Sequence, residues 1–162
     1  MRRQFGKTLV QLAKHDPNVV LIIPDVKQDM DEFCELFPDR FFNFGLTEQS
    51  TIGIAAGMAI EGLRPVVYSL TPFLLERAFE QVKIDMDEQR LPVMLVGNSD
   101  YPTHGPTHRP LNPQGLVGLL KNTFGYFPQN SAELHKNMLD AYKMGEPAIF
   151  CIHNDTDKLP FL

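Results

Sequence analysis

Val19-Val20-Leu21-Ile22-Ile23 is an unbroken apolar run of five, closed in front by Asp16-Pro17-Asn18 and behind by Pro24-Asp25. It is too short for a buried helix and rich in β-branched residues. The absence of alternation predicts a strand covered on both faces, as in a parallel sheet. Pro92-Val93-Met94-Leu95-Val96-Gly97 and residues 148–152 read the same way. Pro65-Val66-Val67-Tyr68-Ser69 and the short Arg40-Phe41-Phe42-Asn43 supply two more strands.

Helical patterns fall between these runs. Residues 3–14 put Phe5, Leu9, Leu12 and Ala13 on one face. A short helix is expected over 30–37, ended by Pro38. Thr47 to Ile60 reads as a helix of small residues, with Gly53 and Gly57 suggesting close approach by another backbone. Thr71 is the expected N-cap of a helix with Pro72 in its first position, running to about Glu88. Helices near 113–120 and over 131–143, the latter opened by Ser131, complete the alternation.

Helices alternating with apolar strands specify an α/β fold: a doubly wound, mostly parallel sheet with helices on both faces. Ligands of such sheets bind beyond the carboxyl ends of the strands. Asp25, the 44–48 turn, the 69–73 turn and the long 98–112 loop all follow strands and are expected on one rim.

A chain of 162 residues can hold one self-sufficient core, here expected over 1–153 with an irregular tail at 154–162. The net charge is −5 with acids and bases interleaved, so no basic stripe favours nucleic acid. No apolar run approaches the length that spans a bilayer, and no signal core follows Arg2-Arg3. Cys34 and Cys151 have no metal-ligand spacing and read as reduced thiols, so a cytoplasmic location is the default expectation.

Three segments can carry chemistry. In Asn43-Phe44-Gly45-Leu46-Thr47-Glu48 a glycine turn presents an acid at a helix start. Glu48 there is either a functional carboxylate or an ordinary first-turn acid that complements the helix dipole and its capping. Phe73 precedes a core stripe at 74, 75, 78, 79 and 82, and is either a rim aromatic or more core. His104 and His108 flank Gly105-Pro106, which forbids the helix a shared metal would need. Two histidines on a polar loop suit hydrogen bonding or proton transfer to a small substrate, or are simply solvated. No phosphate-cradling glycine motif is present.

In this order the segments resemble the pyrimidine-binding domain shared by transketolase, deoxyxylulose-phosphate synthase and the β subunits of 2-oxoacid dehydrogenases. The resemblance is strongest over Arg40–Gly62, "RFFNFGLTEQSTIGIAAGMAIEG", and continues through "RPVVYSLTPFLLERAFEQVKID", "GPTH" and "GEPAIFCIHND". It implies thiamine diphosphate as cofactor. Glu48 then matches the glutamate that hydrogen-bonds N1′ of the aminopyrimidine and favours the imino tautomer, whose exocyclic nitrogen takes the C2 proton. Such a carboxyl belongs in a dry pocket. Phe73 matches the phenylalanine packed on that ring, and Asp25 falls in a region near the cofactor. Arg77 resembles an arginine that faces substrate phosphate in the synthase branch. His108 matches the histidine of the donor pocket. His104 stands where these families carry an aspartate, exchanging a hydroxyl-binding acid for a base or donor. "FLLER" is one residue longer than its synthase counterpart. Each residue turns a helix by about 100°, so only one of Phe73 and Arg77 is expected to keep the family orientation.

The diphosphate- and Mg2+-binding module has no counterpart in this sequence, so the resemblance implies a partner chain that brings it. The expected assembly is a dimer or heterotetramer, with the glycine-bearing 53–59 helix as a contact surface. The expected reaction cleaves or forms a carbon–carbon bond next to the carbonyl of a small keto or sugar-phosphate substrate. A 2-oxoacid decarboxylase subunit, acting on sulfo- or phosphonopyruvate-like acids, is the chemical alternative. A non-catalytic binding module is the other.

Overall fold

A computed structural model describes residues 1–25, 29–100 and 104–154. The expected tail therefore lies outside the described residues except for Asn154, as do Tyr101 and Pro102 of the long loop. The elements follow the expected alternation: α1 (Arg2–His15), β1 (Val19–Ile23), α2 (Asp31–Leu36), β2 (Phe41–Asn43), α3 (Glu48–Ile60) and β3 (Arg64–Leu70). Next come α4 (Thr71–Leu75), α5 (Phe79–Gln81), β4 (Met94–Asn98), α6 (Pro113–Val117), β5 (Phe124–Tyr126), α7 (Ser131–Met144) and β6 (Ala148–Ile152).

The strands form a six-stranded sheet in the order β2-β1-β3-β4-β6-β5, and every neighbouring pair is parallel. Each residue of β1, β4 and β6 is buried, as unbroken apolar runs require of strands covered on both faces. One face packs Phe5, Leu9, Phe33, Leu134 and Met138 from α1, α2 and α7. The other packs Ile52, Ala55, Leu74, Leu75, Val82 and Met86 from α3, α4 and the segment after it. The sheet is thus doubly wound. No helix among the described residues is long and apolar enough to cross a membrane.

Two local expectations are corrected. The helix foreseen from Thr71 to Glu88 is broken. α4 ends at Leu75, and the Arg77 N–H bonds back five residues to Pro72 O at 3.0 Å. A second wide-turn stretch spans Val82–Asp87. Thr71 is the first residue of α4 rather than its cap, and its hydroxyl pairs with Ser99 Oγ at 2.8 Å. α7 opens at Ser131 as expected, and Asn130 caps it, its Oδ1 accepting from Glu133 N at 2.9 Å. β5 has no counterpart in the sequence reading. It is anchored by buried Asp87, which accepts from Lys121 N, Asn122 N and Thr123 Oγ1 at 3.1, 2.9 and 2.7 Å.

The glycines of α3 also differ from expectation. A Cβ on Gly57 meets nothing within 4 Å, and one on Gly53 makes only an ordinary 3.6 Å contact with Asp85. Packing within the chain requires neither. Gly97 does need to be glycine, because a Cβ there falls 2.7 Å from Thr71 Cα. That close approach seats the start of α4 against β4.

Candidate active site

Because all strands run parallel, their carboxyl ends share one rim. Beyond β2, Asn43 folds its side chain over the turn, with Oδ1 accepting from Gly45 N at 2.9 Å and Asp25 N at 3.4 Å. Gly45 takes φ +70°, where a side chain is disfavoured, and Thr47 Oγ1 donates to Phe44 O at 3.0 Å. This braced turn delivers Glu48 as the first residue of α3. Thr47 makes no side-chain cap bond to the helix, so its hydroxyl serves the turn.

Glu48 is 1% exposed, the dry setting expected of it. Both carboxylate oxygens accept from Arg77 Nη1, each at 2.9 Å. The guanidinium carbon of Arg77 lies 4.0 Å from the centroid of the Phe73 ring. The His108 ring meets Phe73 in a T-shaped contact at 5.0 Å, and the His104 ring lies 5.6 Å from that of His108. Glu48, Arg77, Phe73, His108 and His104 therefore form one continuous row of contacts along the rim. Asp25 stands on the same rim but outside this row, reached through Asn43.

Phe73 and Arg77 thus enter the site together, contrary to the expectation that one would turn away. The wide turn closed by the bond from Arg77 N to Pro72 O is the reason. A turn of this kind takes up one extra residue without rotating the residues beyond it, and such bulges recur at functional sites. The loop carrying the histidines is held to α4 by Glu76, whose Oε1 accepts from Leu111 N at 2.7 Å. His108 Nδ1 bonds the Thr107 hydroxyl at 3.1 Å.

Sequence reasoning missed the braces: Asn43, the Thr71–Ser99 pair and Glu76. It also missed Asp100, two residues past β4, whose carboxyl burial pushes up from its ordinary value against the pull of His153. Among the described residues no three His, Cys, Asp or Glu side chains come together as a metal site.

The row of contacts tests what the site accepts. A planar, nitrogen-bearing cation already lies on Phe73 and donates an N–H to Glu48. A nitrogen heterocycle of similar size has the same requirements, so the residues present fit an aminopyrimidine ring.

The comparisons agree with a fold of this class. Residues 1–156 match the family model "Transketolase, pyrimidine binding domain". The chain belongs to that family, which is thiamine-diphosphate dependent. It is 37% identical over 152 residues to 1-deoxy-D-xylulose-5-phosphate synthase of Aquifex aeolicus, covering 88% of this chain and 23% of that one. The enzyme of the same description from Clostridium perfringens is 47% identical over 94 residues, 56% of this chain and 15% of that one. The chain therefore spans about a quarter or less of these relatives. A solved structure described as "Split gene transketolase, inactive beta4 tetramer" superposes with a TM-score of 0.88 at 26% identity, covering 99% of this chain and 53% of that one. Transketolase from Campylobacter jejuni superposes at 0.84 with 19% identity, over 94% of this chain and 25% of that one, a likeness of fold.

Proposed function

We propose that this chain is the pyrimidine-binding subunit of a split, thiamine-diphosphate-dependent, transketolase-like enzyme. The observation that carries the reading is Glu48: a carboxylate withdrawn from water at a helix start, beside the face of Phe73. When bound, thiamine diphosphate supplies the nucleophilic carbon and electron sink needed to break or make a bond next to a carbonyl. Glu48 shares a proton with the ring nitrogen that faces it, while Phe73 fixes the ring plane and Asp25 closes the rim nearby. Low water access strengthens the Glu48 contact.

His104 and His108 line the donor pocket, where they hold a carbonyl or hydroxyl oxygen and move a proton to or from it. Arg77 supplies a cation for the acidic group of a small keto or sugar-phosphate substrate. The diphosphate and Mg2+ belong to a separate partner chain of the same family, and the assembly is a dimer or heterotetramer. A neighbour whose description names a split-gene transketolase and an inactive tetramer supports that division. Ile54 and Ile60 are exposed along α3 and Leu46 in the turn before it, with open space at Gly57, which suits contact with another subunit.

The test is Glu48→Gln in the assembly of this chain with its diphosphate-binding partner. Glutamine keeps a hydrogen bond and the side-chain shape but cannot exchange the proton. Turnover should be abolished while the circular dichroism spectrum and assembly stay unchanged. Near-wild-type rates would refute the reading.

A further inference from the structure

We infer that Arg77 is a built-in substitute for the cofactor's ring, occupying both of its contacts until the ring displaces it. The inference rests on the functional reading above and goes beyond it.

Two features define a seat for an aminopyrimidine on this chain: an acceptor at Glu48 and an aromatic face at Phe73. One guanidinium fills both. Its Nη1 donates to the two oxygens of Glu48 at 2.9 Å, and its carbon lies 4.0 Å from the Phe73 centroid. A guanidinium is planar, cationic and rich in N–H donors, as a protonated aminopyrimidine is. The ring and the guanidinium cannot both hold these contacts, so they exclude one another.

The pair also has an energetic reason to exist in the chain by itself. The Glu48 side chain is 1% exposed, and a carboxylate buried without a partner is strongly destabilising. Arg77 neutralises it. Yet the Arg77 side chain is 41% exposed, so the head group has an open way into solvent once it leaves Glu48 and Phe73. Its backbone lies on the wide turn after Pro72, outside a continuous helix. A permanent structural pair has no need of such an exit. Once displaced, the guanidinium stays on the rim beside His108 and is free for an anionic substrate group. Arg77 is thus a positioning residue whose partner changes with the state of the site.

The experiment has two arms. In the first, thiamine diphosphate with Mg2+ is titrated by calorimetry into the assembly of this chain with its diphosphate-binding partner. Wild-type affinity is reduced by the fraction of molecules in which Arg77 stands aside, so Arg77→Ala should bind about tenfold tighter. In the second, thermal melting of the chain alone is compared for Arg77→Ala, Glu48→Gln and the double variant. Arg77→Ala should lower the melting temperature by roughly 2–6 °C, and Glu48→Gln added to it should restore most of the loss. Equal or weaker cofactor binding by Arg77→Ala, or no rescue in the double variant, overturns the substitution. If the wild-type assembly binds no thiamine diphosphate, the functional reading falls and takes this inference with it. If the wild type binds normally and Arg77→Ala binds no tighter, only this inference falls.

Discussion

Gly97→Ala is a one-carbon perturbation, remote in sequence, that the structure connects directly to the site. An alanine Cβ at this position falls 2.6 Å from Thr71 Oγ1, 2.7 Å from Thr71 Cα and 3.1 Å from Thr71 Cβ. Carbon atoms rest comfortably about 3.5 Å or more apart, so β4 and the start of α4 must separate by roughly 0.8 Å. The Thr71 hydroxyl can rotate, but its Cα is backbone and cannot. Overpacking of this kind costs about 1–3 kcal/mol. The same movement strains the 2.8 Å bond from Thr71 to Ser99. Phe73 and Arg77 travel with α4, whereas Glu48 rides on α3, so the row of contacts is pulled apart. Urea denaturation of the chain should show the destabilisation. Calorimetry on the assembly should show thiamine-diphosphate affinity falling, and turnover should drop as well, since a displacement near 1 Å at a reacting site can cost on the order of 100-fold in rate. Gly57→Ala is the control: its Cβ meets nothing within 4 Å, and alanine there should stabilise α3 by about 0.5–1 kcal/mol. A Gly97→Ala chain within about 0.5 kcal/mol of wild type, with unchanged cofactor affinity, would show that α4 is not seated by this contact.

Two buried groups away from the rim give further outcomes. Burial works to raise the Asp87 carboxyl, but bonds from Thr123, Asn122 and Lys121 outweigh it and hold the group below its usual 3.8. A depressed acid lends stability that is complete above about pH 5 and is lost as pH falls through its lowered native value. Asp87→Asn should therefore reduce the urea midpoint at neutral pH and flatten its fall below about pH 4. Identical acid profiles for variant and wild type would count against the anchor. Burial, opposed by a bond to Thr71, pushes the Cys151 thiol up to about 12. Only the thiolate reacts, so iodoacetamide at about pH 8 should spare Cys151 in the folded chain and modify it in urea. Mass spectrometry that finds native Cys151 labelled as fast as the unfolded form would contradict its burial.

The sequence makes the sheet plain because β1, β4 and β6 are buried on both faces, and such strands are written as unbroken apolar runs. It hides β5 for the opposite reason. Phe124-Gly125-Tyr126 is an edge strand of three residues whose position depends on Asp87, more than thirty residues earlier. The break after Leu75 is hidden too, since 74, 75, 78, 79 and 82 satisfy a continuous helix as well as the interrupted one. There the wide turn at Pro72–Arg77 overrides local periodicity. Four of the residues in the row were legible: Glu48, Phe73, His104 and His108 stand in motifs whose order resembles a known domain. The inward turn of Arg77 was not. Nothing in a spacing of 29 residues indicates that one cation will reach across to one carboxylate.

That reach arises from a conflict within Glu48 itself. Withdrawing a carboxylate from water strengthens any hydrogen bond it makes, and the same withdrawal makes it costly to leave without a partner. In this chain the conflict is resolved by Arg77. The solution uses the short α4 segment twice. Phe73 provides the face, and Arg77, four residues on and so on the same side of the segment, provides the counter-charge. The turn is set by where α4 begins, and α4 begins where Thr71 meets Gly97. A contact at the sheet end thus governs the pairing and access of a carboxylate on a different helix. On the proposed function, the stability of the chain and its affinity for an aminopyrimidine are therefore coupled through one segment. Variants that loosen α4 should change both, and variants that remove only the guanidinium should move them in opposite directions.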